Sequence, residues 1–153
     1  MNKKLKTLNY SIKKISANDT YKVRHPVLRA GKPFESCVFD GDNLDTTFHL
    51  GIYTDNQMIG ICSFYKCNND LLPEEFQYQL RGMAVLDNYQ SLGLGKLLLS
   101  HGETFLKGQN IQIVWCNARE KAVNFYKKNG YSTIGMPFEI KEIGLHYMMY
   151  KLL

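Results

Sequence analysis

The stretch Arg81-Gly82-Met83-Ala84-Val85-Leu86-Asp87-Asn88-Tyr89-Gln90-Ser91-Leu92-Gly93-Leu94-Gly95-Lys96, continued through Leu97, Leu98 and Leu99 to Lys107, decides how the chain folds. Before Asp87 the residues alternate as in a strand, with Tyr78, Leu80, Gly82, Ala84 and Leu86 on one face and Gln77, Gln79, Arg81, Met83 and Val85 on the other. After Gly93 the period changes: Leu94, Leu97, Leu98, His101 and Phe105 share a helical face that ends at Gly108. A strand therefore feeds a helix through a short polar loop, with two glycines where the helix begins.

Such a junction suits a phosphate. The first amides of a helix lack intrahelical partners and the helix dipole makes that end electropositive. Gly93 and Gly95 leave room for close approach, and Lys96 adds positive charge. Two phosphate loops fail on spacing. The nucleotide P-loop needs four residues between Gly and Gly-Lys, then Ser or Thr, whereas one residue separates Gly93 from Gly95 and Leu97 follows Lys96. The dinucleotide fingerprint needs a third glycine where Leu98 stands.

The segment Gln90-Ser91-Leu92-Gly93-Leu94-Gly95 resembles the pyrophosphate loop of the Gcn5-related N-acetyltransferases, the GNAT family, written Gln/Arg-x-x-Gly-x-Gly/Ala after an apolar strand. A tight strand-to-helix turn without a ligand would show the same six residues, so other stretches must decide. Asn117-Ala118-Arg119, followed by Ala122-Val123-Asn124-Phe125-Tyr126-Lys127-Lys128-Asn129-Gly130-Tyr131, resembles the family's second signature, Asn and then Ala-x-x-x-Tyr-x-x-x-Gly-Phe/Tyr, in the expected order. The likeness spans roughly the whole chain and is strongest from Phe76 onward. Val23-Arg24-His25-Pro26-Val27-Leu28-Arg29 and Lys32-Pro33-Phe34-Glu35 also look like one branch of small bacterial GNAT proteins, most of whose acceptors are unassigned.

The remaining elements agree with this likeness. A strand is expected over residues 9–15, then a helix over 21–30 capped by Asp19 or Thr20, closed by Gly31 and kinked or shortened by Pro26. Residues 31–45 read as irregular, with turn chemistry at Asp40-Gly41-Asp42-Asn43. Thr46–Tyr53 and Met58–Lys66 read as a hairpin turning at Thr54-Asp55-Asn56-Gln57. A short strand over Ile111–Cys116 closes at Asn117, a helix spans Ala118–Asn129 with Gly130 as its stop, and strands at Tyr131–Ile134 and His146–Leu152 flank a loop. This order is an α/β sandwich rather than a strict βαβ repeat. The resemblance implies one GNAT domain over residues 1–153, a mixed, mostly antiparallel central sheet flanked by helices.

Composition narrows the class. The 153 residues suffice for one domain with a core, and 44% apolar with 22% charged residues is ordinary for a soluble protein. No apolar run approaches the roughly 20 residues of a membrane span, and the basic start Met1-Asn2-Lys3-Lys4 has no apolar segment behind it, so a cytoplasmic protein without a membrane role is expected. Cys62 and Cys67 are set to opposite faces of a strand, and no histidine or second cysteine pair completes a zinc set; Cys37, Cys62, Cys67 and Cys116 read as reduced thiols and no metal site is expected. The formal charge of +5 is scattered, which argues against nucleic acid as a partner and suits a polyanionic coenzyme.

The resemblance also implies chemistry. Acetyl-CoA would be the donor to a primary amine of a small metabolite or amino-acid-like acceptor, attacking directly in a ternary complex. The backbone of Met83, Ala84 and Val85 would pair with pantetheine and supply an oxyanion donor. The pyrophosphate would lie on Gln90, Ser91, Leu92, Gly93, Leu94, Gly95 and Lys96, and the pantetheine arm against Asn117, Phe125 and Tyr126. Tyr126 is the candidate general acid toward the thiolate. Many relatives carry a glutamate base on the central strand, but Gln79-Leu80-Arg81-Gly82 holds none; His146 is the substitute candidate. Arg24, Arg29 and Arg81 are candidate acceptor contacts for a carboxylate or phosphate. A degenerate coenzyme A-binding or sensing domain and a protein or peptide N-acetyltransferase are the competing readings. GNAT relatives are often dimers, which makes a homodimer the oligomer to test for.

Overall fold

The computed structural model describes residues 9–153. In chain order these form β1 (Ser11–Ile15), α1 (Ala17–Leu28), β2 (Phe48–Thr54), β3 (Gln57–Lys66), β4 (Gln77–Val85), α2 (Leu94–Gly108), β5 (Ile113–Arg119), α3 (Val123–Lys128), β6 (Ser132–Thr133), β7 (Phe138–Ile140) and β8 (Gly144–Leu152). The strands make one sheet in the order β1-β2-β3-β4-β5-β8-β6, with β7 also on β8. Only β4 and β5 run parallel, so the expected mixed, mostly antiparallel sheet is present. No helix among the described residues is long and apolar enough to cross a membrane.

Several boundaries differ from the sequence reading for local reasons. The first helix starts at Ala17 because Ser16, rather than Asp19 or Thr20, is its cap: the Ser16 hydroxyl accepts from the Asp19 N–H, and the Asp19 carboxylate accepts from the Ser16 N–H. It ends at Leu28, two residues past Pro26. The hairpin between β2 and β3 turns on Asp55 and Asn56, both left-handed, as a two-residue turn requires. Strand β5 continues through Asn117 to Arg119, because its antiparallel partner β8 pairs with it to His146. Helix α3 is correspondingly short, with a 3-10 turn over Glu120–Ala122 before it.

The central strand is not a continuous alternation. Ile61 pairs with Ala84 and Ser63 with Arg81, so one residue of β3 faces two of β4, Gly82 and Met83. Gly82 adopts φ +65°, and the extra residue is a β-bulge. Side chains exchange faces there. Leu80 lies in the main core with Leu98 and Phe64, whereas Ala84 joins Val23 and Ile61 under α1.

One face of the sheet packs against α2 and α3, the other against α1. On α2 the buried stripe is Leu94, Leu98, Leu99, Gly102 and Leu106, while Leu97 and His101 face out, contrary to the expected face. Gly102 sets the stripe: a Cβ there would collide with the Phe64 ring, so the helix presses on the sheet along the Leu98–Gly102–Leu106 line.

This core has a pH signature. Burial raises the thiols of Cys62 and Cys116, the latter to about 12. It also raises the phenols of Tyr126 and Tyr131, and that of Tyr65 to about 12. Above the ordinary values, 9.0 for cysteine and 10.0 for tyrosine, the unfolded chain loses protons that the folded chain keeps. Stability is therefore full below about pH 9 and falls as pH rises further. Urea midpoints measured from about pH 8 to about pH 11 should drop continuously; a flat midpoint would contradict the burial of these groups.

Candidate active site

Strands β4 and β5 share only three pairs, Gln77 with Ile113, Tyr78 with Val114 and Gln79 with Trp115. Both strands run on, β4 held by β3 to Val85 and β5 held by β8 to Arg119. The sheet therefore opens into a wedge between residues 80–85 and 116–119. Inside a sheet, such a gap exposes backbone edges that an extended ligand can pair with. Met83, Ala84 and Val85 form one side, beyond the bulge. Asn117 stands exposed on the other.

The loop at the wide end is braced from within. The Gln90 side chain donates to the Val85 carbonyl at 2.9 Å and to Asp87 Oδ1 at 3.2 Å. Ser91 is left-handed at φ +63°, and Gly93, the N-cap of α2, at φ +81°. No side chain caps this helix start. Leu94 is buried and offers only backbone, while Leu92 and Lys96 are exposed. A Cβ on Gly95 would sit 3.2 Å from the Phe125 ring and 3.6 Å from Met83 Sδ. The absence of a side chain at 95 is what lets α2, α3 and β4 meet.

Tyr126 lies where these elements converge. Its ring packs edge-on against Phe125 at 5.1 Å and Tyr131 at 5.4 Å. Burial, reinforced by Cys116 and Cys62, raises its phenol well above the usual value. Cys116 is the first residue of β5 past the last shared pair, and Cys62 faces the bulge. The phenol is thus near the narrow end of the wedge.

The α1 face of the sheet carries a different population. Arg24 is fully buried: Nη1 donates to the Cys37 carbonyl and Asp42 Oδ2, and Nη2 to Asp42 Oδ1, Ser63 Oγ and Tyr65 Oη. It fixes the wall of this face and has no surface to offer a substrate, which removes it from the expected acceptor contacts. Asp42 is the hub. It accepts from Arg24, from Tyr65 and from the Phe39 N–H. Burial would raise its carboxyl, but these bonds hold it below the usual value. His49 donates from Nε2 to the Asp42 carbonyl and accepts at Nδ1 from the Ser63 hydroxyl, closing the network.

Arg81 and Arg29 remain half-buried at this face. With Arg24 they surround the Phe39 ring, their Cζ atoms 4.9, 5.2 and 4.0 Å from its centroid. Alternation along β5 puts Asn117 and Arg119 on the same face as Trp115. Burial and then the Arg119 guanidinium, with Arg24 and Arg81, lower Arg29 from its usual value. His146 pairs with Arg119 across β8, is buried, stacks on Phe138 at 5.9 Å and has Nδ1 2.7 Å from the Gly144 carbonyl. That bond leaves Nε2 as the basic nitrogen. Phe39, Asp42 and Arg119 escape sequence reading: none stands in a periodic pattern that marks it, although a glycine inside a strand does signal the bulge at Gly82.

A wedge in a mixed sheet, a braced loop and an uncapped helix start at its mouth, and a buried phenol near its narrow end define an acyl-CoA-dependent transferase fold. The sequence profile of the Acetyltransferase (GNAT) family matches residues 14–131, and the chain belongs to that family, an enzyme class of N-acetyltransferases. It is 42% identical over 142 residues to the uncharacterized N-acetyltransferase YitI of Bacillus subtilis, covering 93% of this chain and 95% of that one. Two solved structures share the fold at low identity. The ribosomal-protein-S18-alanine N-acetyltransferase of Escherichia coli has a TM-score of 0.74 at 15% identity, with 94% of each chain covered. An aminoglycoside 6'-N-acetyltransferase complexed with coenzyme A has a TM-score of 0.75 at 11% identity, with 93% of this chain and 96% of that chain covered.

Proposed function

We propose that the enzyme transfers an acetyl group from acetyl-CoA to a primary amine of a small, amino-acid-like acceptor by direct attack in a ternary complex. The observation that carries this reading is the unpaired wedge between β4 and β5, leading to a helix start without a side-chain cap. Residues 83–85 would hold the pantetheine by backbone pairing, and the amides from Ser91 to Lys96 would take the pyrophosphate. Asn117, Phe125 and Tyr126 would line the opposite wall. The thioester supplies an activated acyl carbon: its carbon–sulfur bond breaks as the carbon–nitrogen bond forms.

The chain's own groups then have proton tasks. The Tyr126 phenol, kept protonated by burial across the physiological range, would donate its proton to the departing thiolate. Nε2 of His146 would accept the proton of the incoming amine, in place of the absent strand glutamate. The solved relatives act on a ribosomal protein and on an aminoglycoside, so the shared fold does not choose the acceptor. A small acceptor is favoured by the half-buried setting of Arg29 and Arg81 around Phe39, with half-buried Arg119 on the same face of the sheet, which suits a compact group better than an extended chain.

Calorimetric titration of acetyl-CoA tests the reading. One-site binding is expected, weakened about 100-fold by Gly93→Glu, which sets a carboxylate at the helix start where no neighbouring atom lies within 4 Å. Gly93 is left-handed, so part of any loss is backbone strain; a melting curve separates the two. No binding by folded protein would reject the assignment and favour a degenerate domain.

A further inference from the structure

Arg29, Arg81 and Arg119 come from three separate elements, the end of α1, β4 and β5; Arg29 and Arg81 share the Phe39 ring, and Arg119 lies on the same face of the sheet, near enough for its charge to lower Arg29. All three are half-buried. Among the described residues the only ion pairs are Arg24 with Asp42 and Lys151 with Glu103, so none of the three has a carboxylate within 4.0 Å. The buried carboxylate of this wall, Asp42, is already engaged by Arg24, Tyr65 and the Phe39 amide. Clustering like charges away from bulk water is unfavourable unless something of opposite sign joins them.

The arginines are also held in place. Arg81 lies between the Phe39 and Tyr65 rings, 4.9 and 5.2 Å from their centroids. Arg29 donates to the Ser36 carbonyl through Nε and to the Leu28 carbonyl through Nη1, and among the described residues Nη2 has no partner. Both rings are fixed by the Asp42 network beneath them, Phe39 through its amide and Tyr65 through its hydroxyl. Planar guanidinium forks immobilised on aromatic faces match carboxylate and phosphate oxygens better than flexible lysines do. This side of the sheet is opposite the one covered by α2 and α3, so the cluster is separate from the packing that supports the phosphate loop.

We infer that Arg29, Arg81 and Arg119 form an anion-binding subsite on the α1 face of the wedge, and that the acceptor is a small amine carrying a carboxylate or phosphate. The inference rests on the acetyltransferase reading and names the substrate class of that site. Arg119 faces His146 across the β5–β8 pair, so the subsite adjoins the group proposed to deprotonate the amine. One small molecule carrying both functions would span them.

The test measures coenzyme A release for matched acceptors: glycine against glycinamide, glutamate against its diamide, and O-phosphoethanolamine against ethanolamine. In parallel, acetyl-CoA and each anionic amine are titrated calorimetrically. Anionic members should be preferred in kcat/KM by about tenfold or more, with the carboxylate and phosphate pairs deciding between the two anions. Arg81→Gln and Arg119→Gln should each raise KM for the anionic acceptor about 10- to 100-fold and leave acetyl-CoA affinity within about twofold. Lys107→Gln, an equal change of net charge at the exposed end of α2, should change neither.

Equal use of each matched pair, or acetylation of neutral or cationic amines alone, would overturn the anion subsite while leaving the acetyltransferase reading intact. A parallel loss of acetyl-CoA affinity in the arginine variants would reassign them as coenzyme contacts. Failure of the wild-type protein to bind acetyl-CoA would instead defeat the underlying reading.

Discussion

Asp42→Ala is expected to lower stability by about 3–5 kcal/mol, because it removes the single carboxylate that neutralises a fully buried arginine. The substitution would leave Arg24 without its paired acceptor at 2.7 and 3.0 Å, and would strip the Tyr65 hydroxyl and the Phe39 N–H of their partner. For a chain of this size the melting temperature should fall by roughly 10 °C. The loss is expected to exceed that of the double variant Arg24→Met, Asp42→Leu, since replacing both charges with apolar groups leaves neither one orphaned. A single-variant loss below about 1 kcal/mol in urea titration would mean that Arg24 finds other acceptors and that the wall is not keyed by Asp42. With its carboxyl held below the ordinary 3.8, Asp42 contributes fully above that value and loses its contribution as pH falls through the depressed one.

Tyr126→Phe should reduce kcat by about 100-fold with acetyl-CoA affinity nearly unchanged, the pattern of a group that acts only as the thiolate departs. The phenol is surrounded by Phe125 and Tyr131, so the ring itself is retained in an apolar setting and the fold should survive the loss of one oxygen. Because burial raises Tyr126, the wild-type kcat profile should show no loss from its ionisation below about pH 10. His146→Ala should lower kcat by about 100-fold and leave acetyl-CoA affinity nearly unchanged, since Nε2 is the proposed acceptor of the amine proton. Unchanged turnover in Tyr126→Phe would remove the donor role, and unchanged turnover in His146→Ala would remove the base.

The fold was legible wherever local chemistry and global packing agree. Asp55-Asn56 demanded a tight hairpin turn, and a glycine pair after an apolar strand announced the start of α2. The misplaced boundaries arise from partners distant in sequence. Nothing near Asn117 says that β5 must continue, because the reason lies in β8, 29 residues beyond Asn117 at His146. The inversion of side-chain faces along β4 comes from a single left-handed glycine, which period counting overlooks. The proposed coenzyme side is carried by contiguous motifs, so sequence alone offers candidates for it residue by residue. The proposed acceptor side is assembled from α1, the loop around Phe39, β4 and β5, so Arg24 read as an acceptor contact although it is buried, and Arg119 went unassigned.

The bulge at Gly82 also acts as a phase boundary. Residues up to Arg81 and residues from Met83 onward belong to the same strand but follow opposite parity rules, so that odd-numbered Arg81 and even-numbered Ala84 share the α1 face. Straightening the strand with the extra residue retained would turn one half of it inside out. Substitutions on either side, by contrast, stay within their own half. The strand thus divides into two segments that can vary separately, one carrying Arg81 of the proposed acceptor subsite and the other the residues proposed to pair with the donor.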